Sequence, residues 1–127
     1  MKHSNPPALH APTGYSHVVE VVARRTLYVS GQIALDVEGR LVGPDDMERQ
    51  ATQVFENLRT ALAASDASLG DVVKLTVFLT DVSQLAAFRT ARDRFFSAPL
   101  PACSLVEVSK LARPDLLIEV EAVAVTE

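Results

Sequence analysis

Apolar residues recur along this chain at two distinct spacings, and each spacing marks a different kind of element. Between residues 45 and 62, Met47, Ala51, Val54, Phe55, Leu58, Ala61 and Leu62 keep the offsets of 3, 4 and 7 that place side chains on one helical face. Glu48, Arg49, Gln53, Glu56 and Arg59 point elsewhere. Asp45 supplies a side-chain oxygen for the free amides of the first turn, and Glu48, three positions on, completes a capping box. Residues 65–70, from Ser65 to Gly70, supply the stop. A second helix is predicted from Asp81 or Ser83 as cap and from Leu85, Phe88, Ala91 and Phe95; it ends before Pro99 and Pro101.

Elsewhere the period is two. Val73, Leu75, Val77 and Leu79 alternate with Lys74, Thr76, Phe78 and Thr80, which predicts a strand. Val18, Val19, Val21 and Val22 predict another, and residues 26–30 a third, joined to it as a hairpin through Arg24 and Arg25. The run Asp36-Val37-Glu38-Gly39-Arg40 lies between Ile33-Ala34-Leu35 and Leu41-Val42 and predicts a short second hairpin or a wide loop. Residues 104–108 and 116–125 form the closing strands, linked by a loop with Arg113, Pro114 and Asp115. Residues 1–12, interrupted by Pro6, Pro7 and Pro12, cannot be helical; they predict an extended, flexible arm that turns at Gly14, ahead of a single domain over 13–127.

The resulting order is β-β-(β)-α-β-α-β-β, an α+β class with two helices on one face of a mixed sheet. The last strand carries apolar residues on both faces: Leu116, Ile118, Val120, Ala122 and Ala124 on one, Leu117, Val123 and Val125 among Glu119 and Glu121 on the other. A sheet covered by helices on one side only needs a second cover. The simplest is the same sheet from identical copies in a closed ring.

Composition narrows this picture. At 48% apolar residues there is enough material for one ordinary core. A net charge of −4 sets the overall field against nucleic acid, which is not the expected partner. The single cysteine, Cys103, rules out an intrachain disulfide and makes the cytoplasm the expected address. The first dozen residues lack the apolar stretch of a signal peptide, and nothing later approaches the ~18 apolar residues of a membrane span.

Four segments carry a resemblance over nearly the whole chain: Tyr15-Ser16; Tyr28-Val29-Ser30-Gly31-Gln32-Ile33; Gln53-Val54-Phe55-Glu56-Asn57-Leu58; and Asp71-Val72-Val73-Lys74-Leu75-Thr76-Val77-Phe78-Leu79. Near the C-terminus come Pro101-Ala102-Cys103-Ser104-Leu105-Val106-Glu107-Val108, Leu111 and Ile118-Glu119-Val120-Glu121. Together they resemble the RidA/YjgF family, whose members also carry the labels endoribonuclease L-PSP and translation inhibitor. The resemblance implies a chorismate-mutase-like fold, a homotrimer whose sheets form a central barrel, and small-molecule clefts at the subunit boundaries. It also implies hydrolysis of enamines and imines to 2-keto acids and ammonia.

Residue by residue, Glu119 matches the family glutamate that positions or activates water, and Tyr15 the tyrosine whose hydroxyl closes over the ligand. The bland readings are a barrel-lining carboxylate and an arm anchor. Ser30 and Gly31 follow a strand where a missing side chain lets backbone approach a ligand, and the same pair fits a β-bulge. His17 borders the cleft beside Tyr15. His3, His10 and His17 recur every seventh position, but the intervening prolines destroy the helix that would align them, so no metal site is expected. Lys74 and Asn57 match family positions without an evident chemical task.

One departure matters. Active deaminases carry an arginine two residues after the signature proline, where its fork holds a substrate carboxylate; here that residue is Cys103. A neutral thiol lacks the charge and the paired donors, and losing such a contact costs about 2 kcal/mol of carboxylate affinity. Cys103 then reads as a packed pocket wall, or as a nucleophile if a cation lowers its pKa. Arg113 is a candidate to reach a bound anion from a new direction. The expected function is metabolite binding in interface clefts with imine hydrolysis by a Glu119-activated water. The rivals are a non-catalytic metabolite-binding or interaction protein and, least favoured by charge, a ribonuclease. No phosphate loop or zinc cluster is present in sequence, so no cofactor is expected.

Overall fold

The computed structural model describes residues 1–127. Its elements in chain order are β1 (Lys2–Ser4), β2 (Val18–Glu20), β3 (Arg25–Gln32), α1 (Met47–Ala63), β4 (Val72–Leu79), α2 (Leu85–Phe95), β5 (Ala102–Glu107) and β6 (Ile118–Thr126). Four of the strands make one mixed sheet in the order β3-β6-β4-β5; only the β4–β5 pair is parallel. This is the α+β arrangement expected from the periodicities.

Alternation places the core. Leu75, Val77 and Leu79 of β4 and Ile118, Val120, Ala122 and Ala124 of β6 are buried against Met47, Ala51, Val54, Phe55, Leu58 and Leu62 of α1. Phe88 and Ala91 of α2 join the same cluster, so both helices lie on one face of the sheet. Val72 is buried on that face although Leu75 is an odd number of positions away, because the β4–β6 register shifts between Val72 and Lys74. The opposite face carries Tyr28, 82% exposed, with the exposed Ser30, Ser104, Val106 and Glu121 and the half-buried Thr76, Phe78, Glu119 and Val123.

Several expectations need correction. The hairpin between residues 18–22 and 26–30 does not form: β2 pairs with β1 of the N-terminal segment, through Lys2–Glu20 and Ser4–Val18, and β3 pairs with β6. Arg24 and Arg25 offer none of the positive-φ geometry of a tight hairpin, whereas the long apolar β6 gives β3 a nearly full-length ladder. The arm is thus extended, as expected, but its first residues are tied into a small two-stranded sheet. The optional third strand shrinks to one bridge, Leu35–Leu41, around a turn where Gly39 has φ 77° and Asp36 Oδ1 accepts from the Arg40 amide.

The helix cap is Asp46, one residue beyond Asp45, and it accepts from the Arg49 amide. Glu48 pairs with Arg94 of α2 at 2.5 Å instead of closing a capping box. The closing strands are offset from expectation by about two residues, so that Leu116 and Leu117 lie in the preceding loop.

Gln50, three residues after Met47 and four before Val54, lies at the edge of the apolar stripe and is fully buried. Its amide donates to the Gly43 and Asp115 carbonyls at 3.1 Å each, and its oxygen accepts from the Leu117 amide at 2.9 Å. The side chain thereby fastens α1 to the loops at both of its flanks. Replacing it with leucine, similar in size, is expected to cost about 1–3 kcal/mol for each backbone group left dry and unpaired. A urea midpoint unchanged from wild type would refute that role.

Candidate functional site

The signature proline opens β5, and what surrounds it explains the first half of a site. Ser16, 4% exposed, donates from its amide to Pro101 O at 3.0 Å and from its hydroxyl to Leu100 O at 2.5 Å. The arm is therefore pinned against the start of β5, which carries Tyr15 to the neighbourhood of Cys103. The Tyr15 hydroxyl meets His10 Nε2 at 2.6 Å, and His17 Nε2 lies 2.8 Å from His10 O. The three rings pack edge to face, with His17 centred 4.8 Å from His10 and 5.3 Å from Tyr15. His10 and His17 are brought together by a loop, not by helical spacing.

Behind this cluster lies a cavity of about 250 Å³ lined by Tyr15, Cys103 and Leu105 and by Leu85, Phe88, Arg89 and Arg92 of α2. Cys103 is opposite Leu75 in the parallel ladder, so its side chain points to the helix side of the sheet. Burial pushes its thiol pKa upward; Lys74 and Arg92 pull the other way and lose. The thiol is neutral near pH 7, which removes the support for a nucleophilic role and favours the pocket wall.

That shift has a measurable consequence. The unfolded thiol ionises near its ordinary 9.0 and the folded one at higher pH. The folded chain therefore holds the proton longer, and the associated stability is complete below the ordinary value and lost as pH rises through the folded one. Because Cys103 is the only cysteine, labelling by iodoacetamide should show an inflection above pH 9.0. An inflection below it contradicts the burial argument.

The second half of the site is elsewhere. Glu119 pairs with Phe78, whose neighbours Val77 and Leu79 are buried, so the Glu119 side chain lies on the helix-free face. Between Val29 and Gln32 the β3–β6 register shifts, making Ser30 and Gly31 the bulge that the sequence allowed. A Cβ on Gly31 would come within 2.7 Å of the Glu119 Cδ, so the carboxylate folds over this glycine and would have to shift for a larger residue. Ser30, Lys74, Thr76 and Glu121 line a depression of about 310 Å³ on the same face.

One chain thus gathers Tyr15, His17 and Cys103, and separately Ser30, Gly31 and Glu119. The two groups sit on opposite halves and opposite faces of the sheet: Cys103 on the edge strand β5, Ser30 and Gly31 on the edge strand β3 with Glu119 on β6 beside it. Arg113 reaches neither: its guanidinium forks onto Asp115 at 3.1 and 2.7 Å, in a different cavity beside Thr80 and Lys110. Of the two cations whose charge reaches Cys103, Lys74 and Arg92, only Arg92 lines its cavity, and the sequence pattern did not single it out. The signal was available, because Arg92 lies four positions after Phe88 and seven after Leu85, on the apolar stripe. Asn57, left without a task, donates to the Ile33 and Leu35 carbonyls at 2.9 Å each and holds the segment after Gly31. Lys74 Nζ donates to Ser104 Oγ at 2.8 Å.

No helix is long and apolar enough to cross a membrane. Residues 6–126 match the family model described as Endoribonuclease L-PSP. The chain is 36% identical over 120 residues to the 2-iminobutanoate/2-iminopropanoate deaminase of Salmonella typhimurium, covering 91% of this chain and 92% of that one. Among solved structures it is similar to a Rid-family protein of Yersinia pestis, YyfB, with a TM-score of 0.91, 37% identity and 98% of each chain covered. It is also similar to Escherichia coli TdcF with bound serine, with a TM-score of 0.75, 32% identity and 92% and 91% covered.

Proposed function

This chain belongs to the endoribonuclease L-PSP family, the Rid proteins, and from that premise we propose that it binds a small imine or enamine and hydrolyses it at a site completed by a second copy. The observation that carries the reading is the split of the site: Tyr15 and Cys103 at the β5 edge, Ser30 and Gly31 on the β3 edge with Glu119 beside them on β6, on the helix-free face. Unlike edges meet when copies associate head to tail, and such contacts close into rings. Three copies, as the resemblance implies, would cover the helix-free face and bring each Cys103 cavity to a neighbour's Glu119.

The chemistry asked of this arrangement is modest. Glu119 takes a proton from a water as the water oxygen bonds to the carbon of a protonated C=N group, giving a carbinolamine. Glu119 returns that proton to the nitrogen, the C–N bond breaks to release ammonia, and the hydroxyl proton passes to Glu119 as the carbonyl forms. Tyr15, oriented by His10, closes the cavity over the substrate. The deaminase name of the Salmonella relative and the serine held by the E. coli relative support a small amino-acid-derived ligand. A net charge of −4, with Glu119 and Glu121 on the open face, disfavours RNA.

The test generates 2-aminoacrylate from serine with a serine dehydratase and follows ammonia release with and without this protein. Acceleration is expected. No acceleration, with metabolite binding intact, selects the non-catalytic reading that the loss of arginine at position 103 favours. Light scattering should give a mass near three chains of 13.7 kDa, and a folded monomer overturns the shared site.

A further inference from the structure

Arg92 occupies an unusual position for a helix arginine. Its side chain is only 12% exposed, its guanidinium lies 5.8 Å from the centre of the Phe88 ring, and the backbone of the arm passes directly over it. A Cβ on Gly14 would come within 2.5 Å of Arg92 Cζ, so the left-handed glycine, φ 79°, is what allows the arm to cross there. Within the chain this guanidinium has one carboxylate neighbour, Asp93, which takes Nε and Nη2 on a single oxygen at 3.0 Å and is itself 65% exposed. No buried side-chain nitrogen is left without a partner, so the Nη1 donors of Arg92, which have no acceptor in the chain, keep access to solvent, and Arg92 lines the cavity. Arg89, one helical turn earlier, lines the same space and forms no ion pair.

Two arginines therefore line one small cavity that has no carboxylate in its wall. The remaining wall is apolar, from Leu85, Phe88 and Leu105, with the Tyr15 hydroxyl at the mouth and the uncharged Cys103 in the floor. At about 250 Å³ the space is below the ~300–1,000 Å³ of drug-sized pockets. A planar carboxylate matches the guanidinium fork, and partial burial strengthens the pairing relative to water.

We propose that Arg92, delivered by α2 from beneath the Gly14 crossing, binds the carboxylate of a short, apolar 2-keto or 2-imino acid, in place of a cation on β5. The inference rests on the small-metabolite reading above and names its ligand class. The carboxylate sits toward α2, and the room left by the small Cys103 side chain takes the ligand's apolar end. Asp93 competes for Arg92 in the empty cavity and swings into solvent when a ligand carboxylate arrives.

The experiment is calorimetric titration of the full-length protein with 2-oxobutanoate, 4-methyl-2-oxopentanoate and the uncharged 2-oxobutanamide, alongside ammonia release in the coupled assay. Wild type should bind both acids and not the amide. Arg92→Gln should weaken acid binding about tenfold to a hundredfold, and Arg92→Lys, which keeps the charge without the fork, should recover part of it. Thermal melts establish that each variant is folded. Equal binding of acid and amide, or unchanged binding by Arg92→Gln, overturns the assignment. Hydrolysis that persists undiminished in Arg92→Gln also overturns it while leaving the proposed reaction standing. Arg92-dependent acid binding without any turnover supports the assignment and removes the reaction instead.

Discussion

Phe55→Ala is expected to remove about 3–5 kcal/mol of stability, the range for deleting a fully buried aromatic ring. Phe55 is 0% exposed, and its ring centre lies 6.0 Å from Phe88, 5.5 Å from Phe95 and 5.6 Å from Phe96. Those three rings come from α2 and the residue that follows it, so Phe55 is where α1, α2 and the sheet meet. A domain of this size has about 5–15 kcal/mol in all, so the variant should retain little margin. The effect extends to function, because Phe88 is also the ring beside Arg92. Urea denaturation should show a large fall in midpoint, and binding of short 2-keto acids should weaken with it. A midpoint close to wild type would mean that the aromatic cluster packs less tightly than these distances indicate.

Glu119→Gln is expected to do the opposite: it should leave the fold almost untouched and lower turnover of a 2-iminopropanoate substrate about 100- to 10,000-fold, the usual contribution of a positioned acid–base group. Glutamine keeps the shape that folds over Gly31 but cannot take the proton from water. Stability should shift by no more than about 0.5 kcal/mol, since glutamine matches Glu119 in size and Glu119 is half-buried and outside the helix-side core. Gly31→Ala provides an independent approach to the same carboxylate. The new methyl group would displace the end of a flexible side chain, so turnover should fall while the melting temperature changes little. Turnover in Glu119→Gln equal to wild type removes this residue from the mechanism; loss of the fold in either variant contradicts the placement described above.

The same division between local and distant causes explains how much of the molecule was legible beforehand. Helix α1, helix α2 and strand β4 were visible because each buries one face, and that face repeats every 3.6 or 2 residues within the element itself. Strand pairing has no such local signature. Residues 18–22 and 26–30 read as a hairpin because they are adjacent, yet β3 finds β6 near the far end of the chain, with Arg25 opposite Thr126 and Gln32 opposite Val120, and β2 finds Lys2–Ser4. The capping residue was missed by one position for a related reason: Asp45 and Asp46 both offer a carboxylate, and the positive φ of Asp45, 56°, leaves the cap to Asp46. The task of Gln50 had no local signal, because nothing in the helix pattern announces the Gly43, Asp115 and Leu117 groups it satisfies.

For the site, residue identity was informative and distance was not. Tyr15, Ser30, Gly31, Cys103 and Glu119 were named from motifs, and the absence of an arginine at position 103 was plain. The amino-acid sequence by itself determined the α+β class, the apolar faces of both helices and of β6, and the family, because these depend on residue types at short range. Only the tertiary structure decided that Cys103 and Glu119 stand on opposite faces of the sheet, that the Glu119 carboxylate folds over Gly31, and that Arg92, not Arg113, lines the cavity beside Cys103. Each of those facts joins residues far apart in the chain, and such distances follow from how the elements pack.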